Sequence, residues 1–84
     1  MNSRVEAGAR CIIKRALRMA GVAVDNELPT DVLVELAQPH LKRIKIYIDS
    51  CHAVASTVHD EYEQGIKIAQ AEYAAELVFQ DPCL

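Results

Sequence analysis

The first quarter of the chain repeats apolar residues with the period of an α-helix. Steps of three and four residues place apolar side chains on one helical face. Those positions are Val5, Ala9, Ile12, Ala16 and Met19. Ser3-Arg4-Val5-Glu6 fits a capping box, in which Ser and Glu side chains satisfy free backbone amides, and Gly21 suits the left-handed position that ends a helix. The pattern predicts a helix over about residues 3–20.

A connector and a short helix follow. Residues 22–29 contain the turn-forming pair Asp25-Asn26. Thr30 is suited to cap the start of a short helix, which the pattern places at about residues 30–37. Pro39 then predicts a break near Gln38, because proline restricts the residue before it and is tolerated in the first turn of a new helix.

The remainder, about residues 40–79, carries one long helical stripe. Its members are Leu41, Ile44, Ile48, Cys51, Ala55, Val58, Tyr62, Ile66, Ala69, Tyr73 and Leu77. A second interpretation exists at the start of this segment, because Ile44, Ile46 and Ile48 alternate with polar residues as in a half-buried strand. We favour the helix, since the stripe continues to Leu77 and the sequence offers no clear partner strand.

An unbroken helix over residues 40–79 is about 60 Å long, whereas a compact domain of this size has a radius of gyration of about 12 Å. The helix therefore either bends or breaks, with Ser50, Ser56-Thr57 or Gly65 as candidate sites, or exposes its stripe to a partner. We favour the partner, because alanines on the helix permit close approach of another helix. The sequence thus predicts a single all-α domain over residues 1–84, with the stripe as a subunit or partner interface.

Charge is unevenly distributed. Residues 1–45 hold eight Lys/Arg and five Asp/Glu, while residues 46–84 hold one Lys and seven Asp/Glu. Such polarity can align subunits head to tail or steer a charged partner. Two basic clusters are candidate contacts for an anionic partner: Arg10, Lys14 and Arg18, and then Lys42, Arg43 and Lys45. Nucleic acid is a possible partner but is not favoured, because the net charge is −3.

Nothing in the sequence indicates a catalytic or metal centre. His59 and Glu63 are spaced as half of a metal site, but a polar helix face explains them as well, and we expect no cofactor. The three cysteines predict reduced thiols in a cytoplasmic protein, with Cys11 and Cys51 as small core residues and Cys83 exposed. We also expect no membrane contact, since no apolar run is long enough to span a bilayer.

Two stretches carry a resemblance to a known family. They are IIKRALRMAGVAVDNELPTDVLVELAQPHLKRI (residues 12–44) and EYEQGIKIAQAEYAAEL (residues 61–77). The first is similar to the opening of small head-to-tail connector (head-completion) proteins of tailed phages, with an Arg-Ala-Leu-Arg…Gly-Val helix end and a Glu-x-Pro-Thr turn. The second is similar to a late helix of those proteins. The chain lacks the turn-rich, β-forming segment that separates the two parts in that family.

This resemblance implies a ring-forming, non-enzymatic virion component with no catalytic residues. Taken with the stripe, it predicts a structural or assembly protein that acts through helix-mediated contacts, as a homo-oligomer or with a protein partner. The alternative is a small regulator that binds a nucleic acid, or an enzyme acting on one, through the two basic clusters.

Overall fold

The computed structural model describes residues 2–79, and these residues form four α-helices. They are α1 (Ser3–Met19), α2 (Thr30–Ala37), α3 (Leu41–Ala55) and α4 (Glu61–Phe79). A 3₁₀ turn, Gln38–His40, joins α2 to α3. The predicted all-α fold is confirmed, and no strand occurs between residues 2 and 79. The strand interpretation of residues 43–48 is wrong, because these residues lie inside α3.

Both ends of α1 are closed by local hydrogen bonds. The N-cap is Asn2 rather than the predicted Ser3, and the Asn2 side-chain oxygen accepts from the Arg4 amide at 2.8 Å. At the other end, Gly21 adopts φ 86°, as predicted. The amides of Gly21 and Val22 then donate to the carbonyls of Arg18 and Leu17, both at 3.0 Å, which satisfies the last turn.

Helix α2 has the predicted bounds, but its N-cap position is Pro29 and no side chain caps it. The predicted cap, Thr30, is already the first helical residue. At the other end Gln38 keeps right-handed helical angles, φ −57° and ψ −42°. The break at Pro39 is therefore a change from α-helix to one 3₁₀ turn, and the chain passes from α2 into α3 without an irregular loop.

The predicted long helix is broken between Ala55 and Glu61. Ser56 and Thr57 end α3 by donating their hydroxyls to the carbonyls of His52 (3.0 Å) and Val54 (2.7 Å). Asp60 starts α4, because its carboxylate accepts from the amides of Tyr62 (2.9 Å) and Glu63 (3.1 Å). The broken form is correct, and our preference for an unbroken helix is wrong.

The break lets α3 and α4 pack against each other and against α1. The described residues are compact, with a radius of gyration of 12.5 Å. The buried core combines branched residues of α1, α2 and α3 with alanines and a valine of α4. The core cluster consists of Ala9, Ile13, Ala16, Leu17, Leu33, Ala37, Ile44, Ile48, Ala71, Ala74 and Val78.

This packing changes the interpretation of the predicted interface stripe. Four of its residues are buried within the single chain: Ile44, Ile48, Ala55 and Ile66. Six more are half-buried: Leu41, Cys51, Val58, Ala69, Tyr73 and Leu77. Tyr62 is exposed. One copy therefore covers most of the stripe itself, and the premise that a partner is needed to cover it is wrong.

Candidate functional site

The clearest concave surface lies between α1 and α3. Two adjoining cavities, of about 440 Å³ and about 260 Å³, share Tyr47 and Ser50 in their walls. We call them together the α1–α3 groove. Its walls come from α1 between Gly8 and Ala20 and from α3 between Arg43 and Ala55, and Lys67 and Gln70 of α4 close one end.

Large apolar side chains line the groove and remain in contact with solvent. Met19 is 71% exposed, Ile46 69% and Val54 67%. Isolated exposed apolar residues are ordinary on protein surfaces, but several around one concavity indicate a contact site. These three residues belong to the two helices that face each other across the groove, with Met19 and Ile46 at the smaller cavity and Val54 at the larger one.

Ile46 explains an ambiguity in the sequence. Ile44 and Ile48 are one helical turn apart and both are buried, whereas Ile46 lies between them on the opposite side of α3. Apolar and polar residues therefore alternate here, as in a strand, because one exposed apolar residue, Ile46, stands in the sequence between two residues of the core stripe. The interface predicted from the stripe omits Ile46 and Val54, because both lie off that stripe.

The charged residues that line the groove are all basic. Arg15 and Lys67 border the larger cavity and Arg43 borders the smaller one. Among residues 2–79, the ion pairs join Arg4 to Glu63, Lys45 to Asp49 and His52 to Glu72. The three groove cations therefore have no carboxylate partner within that range, although the chain as a whole is acidic.

Tyr47 stands at the middle of the groove. Burial raises the pKa of its hydroxyl above the ordinary value, and the neighbouring Cys51 raises it further, while Arg15 acts in the opposite direction. The hydroxyl is therefore protonated and neutral at physiological pH. It gives the groove a hydrogen-bonding group between two apolar stretches without adding charge.

The cysteine predictions have a mixed outcome. Cys51 is half-buried in the α3 wall of the groove, while Cys11, predicted as a core residue, is exposed in the α1 wall. The prediction for Cys11 is wrong, because Cys11 lies beside the buried face of α1, whose members are Val5, Ala9, Ile13, Ala16 and Leu17. Cys83 lies outside the described residues.

The side chains of the first basic cluster, Arg10, Lys14 and Arg18, form hydrogen bonds within the fold. Arg10 donates to the Leu28 carbonyl at 2.6 Å, and Lys14 donates to the Asn26 carbonyl at 2.9 Å. Arg18 donates to the Asn26 side-chain oxygen at 2.8 Å. These three cations hold the loop between α1 and α2 against α1. They would have to give up these bonds to contact an anionic partner.

The second basic cluster differs from the first. Lys42, Arg43 and Lys45 are all exposed at the start of α3. Lys45 pairs with Asp49 at 3.1 Å, while Lys42 and Arg43 have no carboxylate partner in the part of the chain that the structure describes. Of the six residues predicted to contact an anion, these two have the freest side chains.

A second surface feature lies where α4 begins. Tyr62 is 68% exposed, and Asp60 and Glu61 beside it are exposed too. Val58, half-buried, precedes them. We call these four residues the α4 knob. It is both apolar and acidic, and its residues line neither cavity of the groove.

The predicted histidine face forms no metal cluster. Glu63, the proposed partner of His59, is paired with Arg4 at 3.2 Å. His52 faces Glu72 on α4 at 3.7 Å. Within residues 2–79, no group of three or more His, Cys, Asp or Glu side chains is arranged to hold a metal ion.

Comparison with known proteins yields no relative. No protein-family model, curated protein or solved structure matches this chain. The resemblance to phage connectors therefore stays a prediction from the sequence. Over the described residues, no helix combines the length and apolar character needed to cross a bilayer.

Proposed function

We propose that this chain is a non-enzymatic assembly protein that binds protein surfaces through helix contacts, with the α1–α3 groove as its contact surface. The observation that supports the proposal is the solvent exposure of Met19, Ile46 and Val54 around one concavity. The buried centre of a protein interface is more apolar than its rim, and a few well-packed residues there supply most of the binding energy.

In its more specific form, the proposal is that the chain is a subunit of a ring, such as the head-to-tail connector of a tailed phage. The resemblance in residues 12–44 and 61–77 supports this form. Residues 12–44 run from α1 through the Gly21 turn and Pro29 into α2 and the start of α3. A ring subunit needs a surface that accepts a neighbour, and the groove is the candidate for that surface.

The test is the solution mass of the protein, measured by light scattering at rising concentration. We expect a mass above the 9.3 kDa of one chain, and a fall toward that value in Ile46→Asp. Ala53→Asp is the matched control, because Ala53 is exposed on the same helix but lines neither cavity. A wild-type protein that stays at 9.3 kDa throughout would contradict self-assembly.

The second candidate is a regulator that binds nucleic acid, and the free side chains of Lys42 and Arg43 favour it. Phosphate contacts by these cations would weaken steeply as salt rises. Gel retardation of a DNA duplex by the wild type, lost in Lys42→Ala/Arg43→Ala and kept in Ile46→Asp, would favour this function over assembly. The absence of retardation at low salt would exclude it for DNA.

A further inference from the structure

We propose that the α4 knob of one copy of the chain binds in the α1–α3 groove of the next copy. This inference rests on the proposed assembly function. The four large apolar residues exposed among residues 2–79 divide between these two surfaces. Met19, Ile46 and Val54 belong to the groove, and Tyr62 belongs to the knob. Each surface therefore offers what the other lacks: the groove has a concavity, and the knob has an exposed aromatic side chain.

The shapes and polarities of the two surfaces are compatible. Tyrosine is favoured at protein interfaces because its ring fills an apolar pocket while its hydroxyl keeps a hydrogen bond. The smaller cavity combines apolar walls at Met19 and Ile46 with polar groups from Arg43 and Ser50. A phenol ring entering this cavity finds apolar contacts along its sides and partners for its hydroxyl.

The charges of the two surfaces are complementary. Asp60 and Glu61 flank the knob, whereas Arg15, Arg43 and Lys67 border the groove without acidic partners among the described residues. Complementary charges orient two surfaces and suppress wrong pairings. The groove of one copy against the groove of another would instead bring basic residues together. Knob-to-groove contact is therefore favoured over a symmetric contact between two grooves.

Such a contact is heterologous, because it joins two different surfaces of the same chain. Knob residues line neither cavity, so one copy can use both surfaces at the same time. Heterologous contacts propagate until the rotation closes a ring, or continue as a filament. The knob lies in the acidic half of the sequence, whereas the groove takes two of its three cations from the basic half.

The deciding experiment uses Ile46→Asp, which damages the groove, and Tyr62→Asp, which damages the knob. Both wild-type residues are about equally exposed, at 69% and 68%, so neither change introduces a charge into the core. Each variant alone is expected to be a 9.3 kDa monomer. Mixed in equal amounts, they should form a complex of two chains and no larger species, because only one intact knob and one intact groove remain.

Native mass spectrometry of the mixture, with one variant isotopically labelled, identifies the composition. One labelled and one unlabelled chain per complex supports the proposal. A mixture that stays monomeric overturns it, as does a Tyr62→Asp protein that assembles like the wild type. If Ile46→Asp loses assembly and Tyr62→Asp does not, the groove still serves assembly but the knob is not its ligand. A wild-type monomer at every concentration overturns both this inference and self-assembly.

Two controls exclude trivial outcomes. Circular dichroism and thermal unfolding show whether each variant keeps the helical fold, and Met19→Asp, at an exposed residue of the same cavity, replaces Ile46→Asp if that variant does not fold. Salt tests the charge argument, because raising it from about 0.05 M to about 0.5 M shortens the screening length several-fold. We expect association of the wild type to weaken about tenfold. Association that is unchanged or stronger in salt contradicts the role of the charges.

Discussion

Helix α1 has two neighbours of opposite character. Against α4 it makes the most extensive helix contact in the described fold, and both helices have small residues in the packed region: Gly8 and Ala9 in α1, Ala71 and Ala74 in α4. Against α3 it leaves the groove, bordered by Met19 and Ile46. Small residues allow two helices to approach until no cavity remains, whereas exposed aliphatic residues indicate a surface that accepts another molecule. The first contact is part of the packed core, and the second is the surface that we propose for binding.

The strongest test compares Ile44 with Ile46, which are the same residue type two positions apart on α3. Ile44 is fully buried in the core and Ile46 is 69% exposed. Ile44→Ala should lower the free energy of unfolding by about 2–5 kcal/mol. Ile46→Ala should change it by no more than about 0.5 kcal/mol. Chemical denaturation measures both, at a protein concentration where the wild type is monomeric. Equal losses would remove the distinction between core and groove.

A smaller effect is expected at Asp60, whose carboxylate caps α4 and so fixes the turn that brings α4 onto α1. Asp60→Ala should lower the free energy of unfolding by about 1 kcal/mol. Asp60→Asn is the control, because asparagine caps helices about as well. Similar losses in the two variants would show that the helix cap is not the source of the effect.

Two glycines test how tightly α1 packs against α4. Gly65 lies in α4 with open space around it, while a methyl group at Gly8 would overlap the side-chain amide of Gln70. Gly65→Ala should stabilise the fold by about 0.5–1 kcal/mol, because alanine favours the helix. Gly8→Ala should gain less, because Gln70 must move and loses its 3.0 Å hydrogen bond to the Arg4 carbonyl.

Chemical denaturation of four variants separates the gain from the added methyl group from the loss of the Gln70 hydrogen bond. The variants are Gly65→Ala, Gly8→Ala, Gln70→Ala and the Gly8→Ala/Gln70→Ala double variant. Replacing Gly8 in the Gln70→Ala background should recover the benefit that is missing in the wild-type background. If Gly8→Ala stabilises the wild type as much as Gly65→Ala does, α1 and α4 are less tightly packed than described.

The smallest effect concerns Tyr47 in the groove. Because burial raises the pKa of its hydroxyl in the folded state, the folded protein disfavours tyrosinate more than the unfolded chain does. The stabilising contribution is complete below the unfolded pKa of about 10 and is lost as pH rises through the folded pKa. Wild-type protein should therefore lose more stability than Tyr47→Phe between about pH 9 and about pH 11. Parallel losses would mean that other groups account for the alkaline transition.

Much of the fold could be predicted from the sequence because its signals are local. The periodicity of Val5 to Met19 and the left-handed Gly21 give α1 nearly to the residue. The wrong choice of N-cap reflects how little separates Asn2 from Ser3, since both side chains cap well. The sequence offers the break after Ala55 only as one of two alternatives, because it does not show that α1 is available to cover both α3 and α4.

The candidate site was less accessible to sequence reasoning. The predicted stripe marks residues that repeat with the helical period, and such residues become the core whenever the chain can fold back on itself. The exposed apolar residues Ile46 and Val54, which we propose as contact residues, lie off that period. The basic cluster of Arg10, Lys14 and Arg18 was also open to two uses, and only the position of the α1–α2 loop shows that its bonds go to loop carbonyls.

By itself, the sequence left open where residues 40–79 break, but it determined that this chain is helical, where α1 and α2 lie, and that its two halves differ in charge. These properties follow from backbone hydrogen bonding, caps and side-chain spacing, which act between residues close in the chain. The tertiary structure decided which apolar residues are buried, which cations form hydrogen bonds within the fold, and where a groove remains between two helices. Those outcomes depend on contacts between distant segments, whose geometry no local pattern specifies.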